Sequence, residues 1–287
     1  MILTADSGST KCHWALAEKG EAVTEQSINI VQSRGINPVT CSREQMIEII
    51  SEELLPNIEA EAVESIYFYG AGCIAGAPAT LGLRDVLAEI FPNAQQIEVA
   101  TDMLGAAHAL CGREEGIVCI LGTGSNSAHY DGEKMAKNVP PLGYILGDEG
   151  GGTNIGRTFV SDALKGVMDK EIVDMFYAEC NTSYPEIIEN VYRKPNANRY
   201  LASFVPFVAK HRDLPQVRKC IDTAFNNFIE RNLLQYNGIE SMEVNFVGSV
   251  AFVFEKELTE ALERHSLKLG KIMRSPICGM VNYHTLE

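Results

Sequence analysis

Two short glycine-containing loops lie at matching positions in the two halves of the chain. The first loop, Asp6-Ser7-Gly8-Ser9-Thr10, separates the apolar segments 2–5 and 14–16. The second, Gly122-Thr123-Gly124-Ser125-Asn126, follows the apolar segment 117–121. Each pattern predicts strand, tight turn and strand, with glycine permitting positive φ and leaving N–H groups unpaired at the tip. Such amides and hydroxyls form anion nests, so the repeat predicts two phosphate loops, although either loop alone is typical of an ordinary hairpin.

The length of the chain predicts two domains. Its 287 residues exceed what one hydrophobic core usually covers, so we expect two domains of roughly 140 residues each. No low-complexity linker separates the halves, and the boundary is placed at Cys111-Gly112-Arg113. The predicted domains are therefore residues 1–112 and 113–287, with packing of the last ~20 residues on the first domain left open.

The charge balance restricts the partners. There are 24 Lys and Arg against 38 Asp and Glu, a net charge of −14, which argues against binding to nucleic acid or to an anionic membrane. The chain has neither an apolar run of about 18 residues nor a basic N-terminal region followed by an apolar core. We therefore expect no membrane association and a cytoplasmic location.

The eight cysteines are scattered along the chain. They form no Cys-x-x-Cys pair and no Cys/His cluster in the sequence, which argues against a zinc site and against a cysteine-motif iron–sulfur site. In a chain of this length they are expected to be reduced, small apolar residues.

Alternating elements follow the first hairpin. A third strand is predicted at residues 22–30, and an amphipathic helix at 41–55, where Ser42 and Gln45 form a capping box and Pro56 ends the helix. Further elements of this half are strands at 65–69 and 97–100 and helices at 81–91 and 103–110. This order is typical of an α/β fold with a mixed sheet and crossover helices.

The same pattern restarts near residue 116. Strands are predicted at 118–121, 126–130, 135–139 and 244–247, and helices at 153–168, 172–180, 201–210, 217–236 and 250–265. Both halves therefore open with three strands. The segment 181–198 gives no clear prediction.

Five motifs together resemble the N-acetylglucosamine kinases, in the superfamily of actin, hexokinase and the sugar kinases. In order along residues 2–250 they are DSGSTK, ATD, LGTGSN, GYILGDEGGG and FVGSV. The resemblance implies an α/β protein of two actin-like (ribonuclease H-like) domains, with mixed sheets flanked by helices and an active-site cleft between them. It also implies ATP and Mg²⁺ as cofactors and a small-molecule sugar substrate, most simply N-acetylglucosamine phosphorylated at its 6-hydroxyl.

The resemblance assigns roles to residues by motif position. Gly8, Ser9, Thr10 and Lys11 would form the first phosphate loop, Gly122, Thr123 and Gly124 the second, and Gly248 and Ser249 the nucleoside side. Asn37, Asp102, Gly143, Tyr144 and Asp148 would face the sugar, with Asp102 catalytic and Asp6 at the metal.

Three carboxylates can also be assessed without the resemblance. Asp102 lies between a predicted strand and a predicted helix, where the macrodipole favours an ionised general base, although a plain N-cap aspartate is the alternative. Asp6 ends the first strand and suits Mg²⁺, directly or through water, or an Asx turn. Asp148 lies between two glycine clusters and suits hydrogen bonding to sugar hydroxyls, or a helix N-terminus rich in acids.

Two other functions remain as alternatives. One is an ATPase that activates a 2-hydroxyacyl-CoA dehydratase, a related family whose dimers share an iron–sulfur cluster. The other is a non-catalytic sugar or nucleotide sensor, against which Asp6 and Asp102 argue because a pure binder needs no base. A homodimer is also an open alternative for the kinase.

Overall fold

Each glycine loop is the first turn of a five-stranded mixed sheet. The computed structural model describes residues 1–8 and 10–286. The chain divides into a first unit, Met1–Glu114, Gly132–Lys134 and Ser275–Glu287, and a second unit, Glu115–Asp131 and Met135–Arg274. Among the described residues, no helix is long and apolar enough to span a bilayer.

The first unit has its strands in the order β3-β2-β1-β4-β5. The β1–β2 and β2–β3 pairs are antiparallel, and the β1–β4 and β4–β5 pairs are parallel. Its elements are β1 (Ile2–Ser7), β2 (Lys11–Ala17), β3 (Ile30–Arg34), α1 (Arg43–Ile49), β4 (Ser65–Gly70), α2 (Pro78–Ile90), β5 (Gln96–Thr101) and α3 (Asp102–Cys111).

The second unit repeats this topology in the order β10-β9-β6-β7-β8. Its strands are β6 (Gly116–Leu121), β7 (Ser125–Tyr130), β8 (Met135–Val139), β9 (Glu243–Val247) and β10 (Lys268–Met273). Its helices are α4 (Gly143–Leu146), α5 (Gly152–Leu164), α6 (Lys170–Glu179), α7 (Tyr184–Tyr192), α8 (Ala197–Ala202), α9 (Val205–Lys210), α10 (Pro215–Arg231), α11 (Ser249–Val253) and α12 (Glu255–Arg264). A last helix, α13 (Ile277–Thr285), lies in the first unit.

The strand predicted at residues 22–30 is wrong except at its last residue. The strand begins at Ile30 and pairs with β2 in a register that places Arg34 opposite Lys11. The preceding residues instead form a turn in which the Thr24 N–H donates to the Ser27 hydroxyl at 2.9 Å. Local bonds of this kind compete with a sheet ladder, which explains the error.

The observed helices differ from the predicted ones, most clearly in three places. The capping box of Ser42 and Gln45 is confirmed, but α1 ends at Ile49 and a π-helical turn, Ile50–Leu54, follows. The helix predicted at 201–210 is two helices, α8 and α9, and the one predicted at 250–265 is divided at Phe254 into α11 and α12. The helix α7, the strand β10 and the helix α13 were not predicted.

Each unit has its own hydrophobic core. In the first unit Trp14 is fully buried, its ring meeting Phe68 edge-on at 5.6 Å between centroids, and its Nε1–H donates to Ser33 Oγ at 2.9 Å. Trp14 is therefore a core residue of this unit. The second core holds Phe159, Phe176 and other aromatic residues of the helices on its sheet.

A histidine–tyrosine network attaches α13 to the first unit. Tyr69 Oη lies 2.8 Å from Nδ1 of His108 on α3 and 2.7 Å from Nε2 of His284 on α13. Because the hydroxyl has one proton, it donates to one imidazole and accepts from the N–H of the other. Burial lowers the pKa of His108 to about 4 and that of His284 to about 3, so both rings are neutral near pH 7.

Glycine permits the close packing of α3 against its neighbours. A Cβ on Gly105 would lie 2.6 Å from Cγ of Tyr69, and one on Gly279 of α13 would lie 2.7 Å from Cα of Ala109. Side chains at these positions would separate the helices or move them off the sheet. The start of α3, where Asp102 lies, is thus held by contacts along the whole helix.

Gly279→Ala is expected to destabilise the protein by about 1–3 kcal/mol, because the new methyl overlaps the backbone of Ala109. The matched variant is Gly82→Ala, also within a helix, whose Cβ would meet nothing within 4 Å. That variant should stabilise by about 0.5–1 kcal/mol through lower backbone entropy in the unfolded chain. Urea unfolding of both variants measures the difference, and a Gly279→Ala protein as stable as Gly82→Ala would contradict the close contact.

Candidate functional site

The first loop is a closed hairpin tip. The Gly8 N–H donates to the Lys11 carbonyl at 3.0 Å, and Thr10 presents its carbonyl to the N–H of Gly35 at 3.0 Å. Gly8, Gly122 and Gly124 do not adopt positive φ, so these turns do not use the left-handed conformation that glycine permits. Ser9, predicted to bind phosphate, lies outside the described residues.

Gly35 fixes the segment after β3 against this hairpin. A Cβ on Gly35 would overlap the carbonyl oxygen of Gly8 and lie 2.9 Å from the Thr10 nitrogen. The next residue, Ile36, donates its N–H to Ser7 Oγ at 2.8 Å and accepts from the same hydroxyl at 3.0 Å. Ser7 and Gly35 therefore set the position of the residue that follows, Asn37.

Asn37 is partly buried and its side chain is fixed on two sides. Its Oδ1 accepts from the N–H of Val39 at 2.9 Å. Gly72, at a φ of +82°, comes so close that a Cβ there would lie 2.5 Å from the same oxygen. The Asn37 amide nitrogen is the part of the side chain that can donate to a ligand.

Asp102 is the first residue of α3. The N-cap is Thr101, whose Oγ1 accepts from the N–H of Leu104 at 3.2 Å, so the alternative of Asp102 as N-cap is wrong. The Asp102 Oδ1 accepts from the N–H of Met103 at 2.8 Å. This bond orients the carboxylate at the positive end of the helix dipole.

Asp6 and Asp102 form an acidic pair. Burial, with a further contribution from the negative charge of Asp102, raises the pKa of Asp6 from 3.8 to about 7. Burial also raises the pKa of Asp102, against the opposing hydrogen bond from Met103. A divalent cation or a proton would relieve this concentration of negative charge.

The second loop is joined to the N-terminus of α5. The Gly122 N–H donates to the Gly124 carbonyl at 3.0 Å. Two early N–H groups of α5 donate back to the loop, Gly152 to the Gly122 carbonyl at 2.8 Å and Thr153 to the Thr123 carbonyl at 2.9 Å. These bonds satisfy amides that a helix start leaves free and place its positive dipole end at the loop.

Asp148 lies directly against this loop. Its Oδ1 accepts from the N–H of Ser125 at 3.2 Å, and a Cβ on Gly124 would lie 2.8–2.9 Å from the carboxylate atoms. Burial raises the pKa of Asp148, partly offset by the Ser125 hydrogen bond. Glu149 is not at the helix start, since α5 begins at Gly152, and it pairs with Arg231 at 2.6 Å.

The turn before Asp148 exposes Gly143 and Tyr144. Leu142 has a left-handed φ of 59°, Asp148 one of 57°, and the Asp148 N–H closes the turn on the Pro141 carbonyl at 3.0 Å. Non-glycine residues rarely hold such φ values, and they cluster at functional sites.

Gly248 packs on the end of β6. At a φ of +125°, a Cβ there would lie 2.7 Å from the carbonyl carbon of Leu121, directly before the second loop. Its N–H donates to the Met273 carbonyl at 2.9 Å, and Ser249 starts α11. The second unit therefore brings together the second loop, Asp148 and Gly248.

Sequence reasoning missed several residues that build these sites. Gly35, Gly72 and Thr153 each hold a predicted site residue in place, yet an isolated glycine or threonine gives no distinctive signal. Among residues 1–8 and 10–286 there is no group of three or more His, Cys, Asp or Glu side chains arranged to hold a metal.

Known proteins similar to this chain include one from Porphyromonas gingivalis, described as a candidate N-acetylglucosamine kinase. The two are 44% identical, the match covers 99% of each chain, and the TM-score of its crystal structure is 0.93. This chain belongs to the N-acetylglucosamine kinase family. No family model matches the chain.

Two other proteins are more distant. A curated N-acetylmuramic acid/N-acetylglucosamine kinase of Clostridium acetobutylicum is 23% identical over 220 residues, 72% of this chain and 69% of that protein. A ROK family glucokinase from Streptomyces griseus is 13% identical, with a TM-score of 0.58 over 99% of this chain and 98% of that one. The latter likeness is one of fold, and it confirms the predicted actin-like fold of two mixed sheets flanked by helices.

Asp6→Asn is expected to raise the melting temperature more at pH 8 than at pH 5. An Asp in the unfolded chain ionises near 3.8, whereas the folded protein resists ionisation of Asp6 until about pH 7, so stability falls as pH rises between these values. The full effect corresponds to roughly 4 kcal/mol, an upper limit since the carboxylate is only partly buried.

Thermal unfolding of wild type and variant at the two pH values measures this difference. Asp85→Asn, at an exposed position on α2, is the control and should change stability equally at both. Equal gains for Asp6→Asn at pH 5 and pH 8 would be inconsistent with a raised pKa.

Proposed function

We propose that this protein transfers the γ-phosphoryl group of ATP to an amino sugar, with N-acetylglucosamine as substrate and its 6-hydroxyl as acceptor. The family membership supports the class of reaction, and both the P. gingivalis and the C. acetobutylicum proteins carry N-acetylglucosamine kinase in their descriptions. The products would be ADP and the sugar 6-phosphate.

The observation that carries the proposal is the acidic pair of Asp6 and Asp102. Asp102 lies at a helix start with its carboxylate oriented by the Met103 N–H, and Asp6 lies at the end of β1, directly before the first loop. A sugar hydroxyl must lose its proton as it attacks phosphorus, and a raised pKa makes the Asp102 carboxylate a stronger base for that proton.

The first unit also supplies a sugar contact. Asn37 has its oxygen occupied by Val39 and its nitrogen available for a sugar oxygen. In the second unit, Gly143, Tyr144 and Asp148 lie on one closed turn, and we assign them to the sugar as well. The half-exposed Tyr144 ring suits the apolar face of a pyranose.

The phosphates of ATP are assigned to the two loops. Gly8, Thr10 and Lys11 would contribute from the first, and Gly122, Thr123 and Gly124 from the second, where the α5 dipole favours an anion. Gly248 and Ser249 are assigned to the nucleoside.

The acidic pair also fits Mg²⁺. Burial, and after it the negative charge of Asp102, raises the pKa of Asp6 to about 7, and a cation there would offset both effects. Magnesium commonly keeps several waters and takes one or two carboxylates, so the lack of a third acidic ligand among the described residues is consistent with it. When bound with ATP, Mg²⁺ would neutralise phosphate charge.

A coupled assay of ADP release, run with ATP and Mg²⁺ over acetylated and free amino sugars, tests the proposed function. N-acetylglucosamine should give the highest kcat/KM, and the product should carry phosphate on the 6-hydroxyl by NMR. Phosphate at another position would correct the acceptor, and absence of turnover with every amino sugar would refute the kinase.

Asp102→Asn is expected to lower kcat by ~10²-fold or more, because the amide keeps the size of the side chain but cannot accept the proton. Binding of ATP, measured by calorimetry, should change little. Near wild-type kcat would exclude Asp102 as the base, and loss of the native melting transition would show that the residue is needed for folding instead.

Gly124→Ala is expected to raise the KM for the sugar about tenfold, because its methyl would push the Asp148 carboxylate from its place on Ser125. Gly122→Ala is the matched control, since a Cβ there meets nothing within 4 Å and leaves Asp148 undisturbed. Steady-state kinetics with the sugar varied at saturating ATP compare the two. The same sugar KM in both variants would argue against a role of Asp148 at the sugar.

A further inference from the structure

The second unit contains a groove of which only Tyr144, at one end, also belongs to the proposed sugar site. It lies between the helices α5 and α7 and has a volume of about 480 Å³, within the range of small-molecule sites. Its lining combines four positions of α5 and the Lys165 that follows them with five positions of α7, the turn of α4 and one residue of α8.

The lining follows one face of each helix. On α5 and its C-cap the positions 157, 160, 161, 164 and 165 repeat at helical spacing, and on α7 the positions 184, 187, 188, 191 and 192 repeat in the same way. Val160, Ile187 and Leu201 are almost fully buried and form the floor. Tyr184 and Tyr192 remain 56% and 78% exposed, which is unusual for large aromatic side chains beside an apolar floor.

The charges of the groove have one sign. Arg157 and Lys165 are its charged residues, and the lining contains no Asp or Glu. Among the described residues, neither cation forms an ion pair within 4 Å. In a chain of net charge −14, a cationic groove without carboxylates is electrostatically complementary to an acid.

The two cations lie at opposite ends of the groove. Eight residues of helix separate them, which is about 12 Å along the axis. Apart from the Ser161 hydroxyl, the stretch between them on α5 is lined by the aliphatic side chains of Val160 and Leu164. A ligand that matched this arrangement would be elongated, with an apolar body and an acidic head group.

Arg157 marks the end where the head group would bind. Its Nη1 donates to the Tyr144 carbonyl at 3.0 Å, and the remaining guanidinium N–H groups can bind an oxyanion. Arg157 is also close enough to Asp148 for its charge to oppose the rise in pKa that burial causes there. The groove thus begins at the turn that carries Gly143, Tyr144 and Asp148.

We propose that the groove between α5 and α7 binds a small amphipathic anion, with its acidic head group on Arg157 and its apolar body between the two helices. This is a ligand site in addition to the proposed active site. Binding would restrain the turn at Tyr144. An effect of this restraint on sugar affinity would rest on the proposed function, whereas the existence of the groove site does not.

The test uses anilinonaphthalene sulfonate, an aromatic anion whose fluorescence rises in apolar surroundings. Titration of the wild-type protein should show one saturable site per chain. Arg157→Gln should weaken binding about tenfold by removing a charge-assisted contact, and Ile188→Gln should do the same by making the wall polar. Arg84→Gln, at an exposed helical position of the first unit, is the matched charge control and should bind as wild type.

Several results would overturn the proposal. These are the absence of saturable binding, equal affinity in wild type and Arg157→Gln, or an equal loss in Arg84→Gln. Sedimentation of the same proteins tests whether the groove is covered by another copy of the chain, and dissociation of an oligomer by Ile188→Gln would also overturn it. Because none of these measurements needs turnover, failure of the proposed kinase activity would not be confused with failure of the site.

Discussion

Close approach of backbone to backbone is the constraint on which the glycine loops of both units depend. Gly35 lets the segment after β3 touch the first hairpin. In the second unit, a Cβ added to Gly151 would lie 2.6 Å from the carbonyl carbon of Gly124. Protein interiors are packed without room for an extra methyl group, so these positions accept only glycine unless the loops move apart. The predicted site residues beside these loops are therefore positioned by neighbouring glycines.

Charge is the second constraint. The carboxylates at the two loops are placed where burial opposes their ionisation, and those of Asp102 and Asp148 each accept a hydrogen bond from a backbone N–H group. Such groups reduce stability and are common at functional sites, where an acid or base must have a pKa suited to its reaction. In the first unit the negative charge of Asp102 adds to the rise in the pKa of Asp6 that burial causes. In the second unit the positive charge of Arg157 opposes the rise in the pKa of Asp148.

The sequence predicted elements whose signal is local and missed those whose signal is not. The paired loops, the capping box at Ser42 and the helix that begins at Asp102 all follow from short-range patterns. The strand β10 has only two strongly apolar residues before Met273, and the helix α13 has no capping side chain, so tertiary contacts decide both. The contact of Asp148 with Gly124 joins residues 24 positions apart, and no periodicity could reveal it.

The helix α13 has a consequence for synthesis of the chain. Ile277 and Val281 complete a small apolar cluster with Ala15, Ala17 and Val23, and Asn282 exchanges two hydrogen bonds with the backbone of Val23, at 2.8 and 2.9 Å. These partners are separated by more than 250 residues, so Val23 leaves the ribosome long before Asn282. The first unit emerges first but cannot finish folding until α13 has been synthesised, whereas every residue of the second unit precedes that helix in the chain.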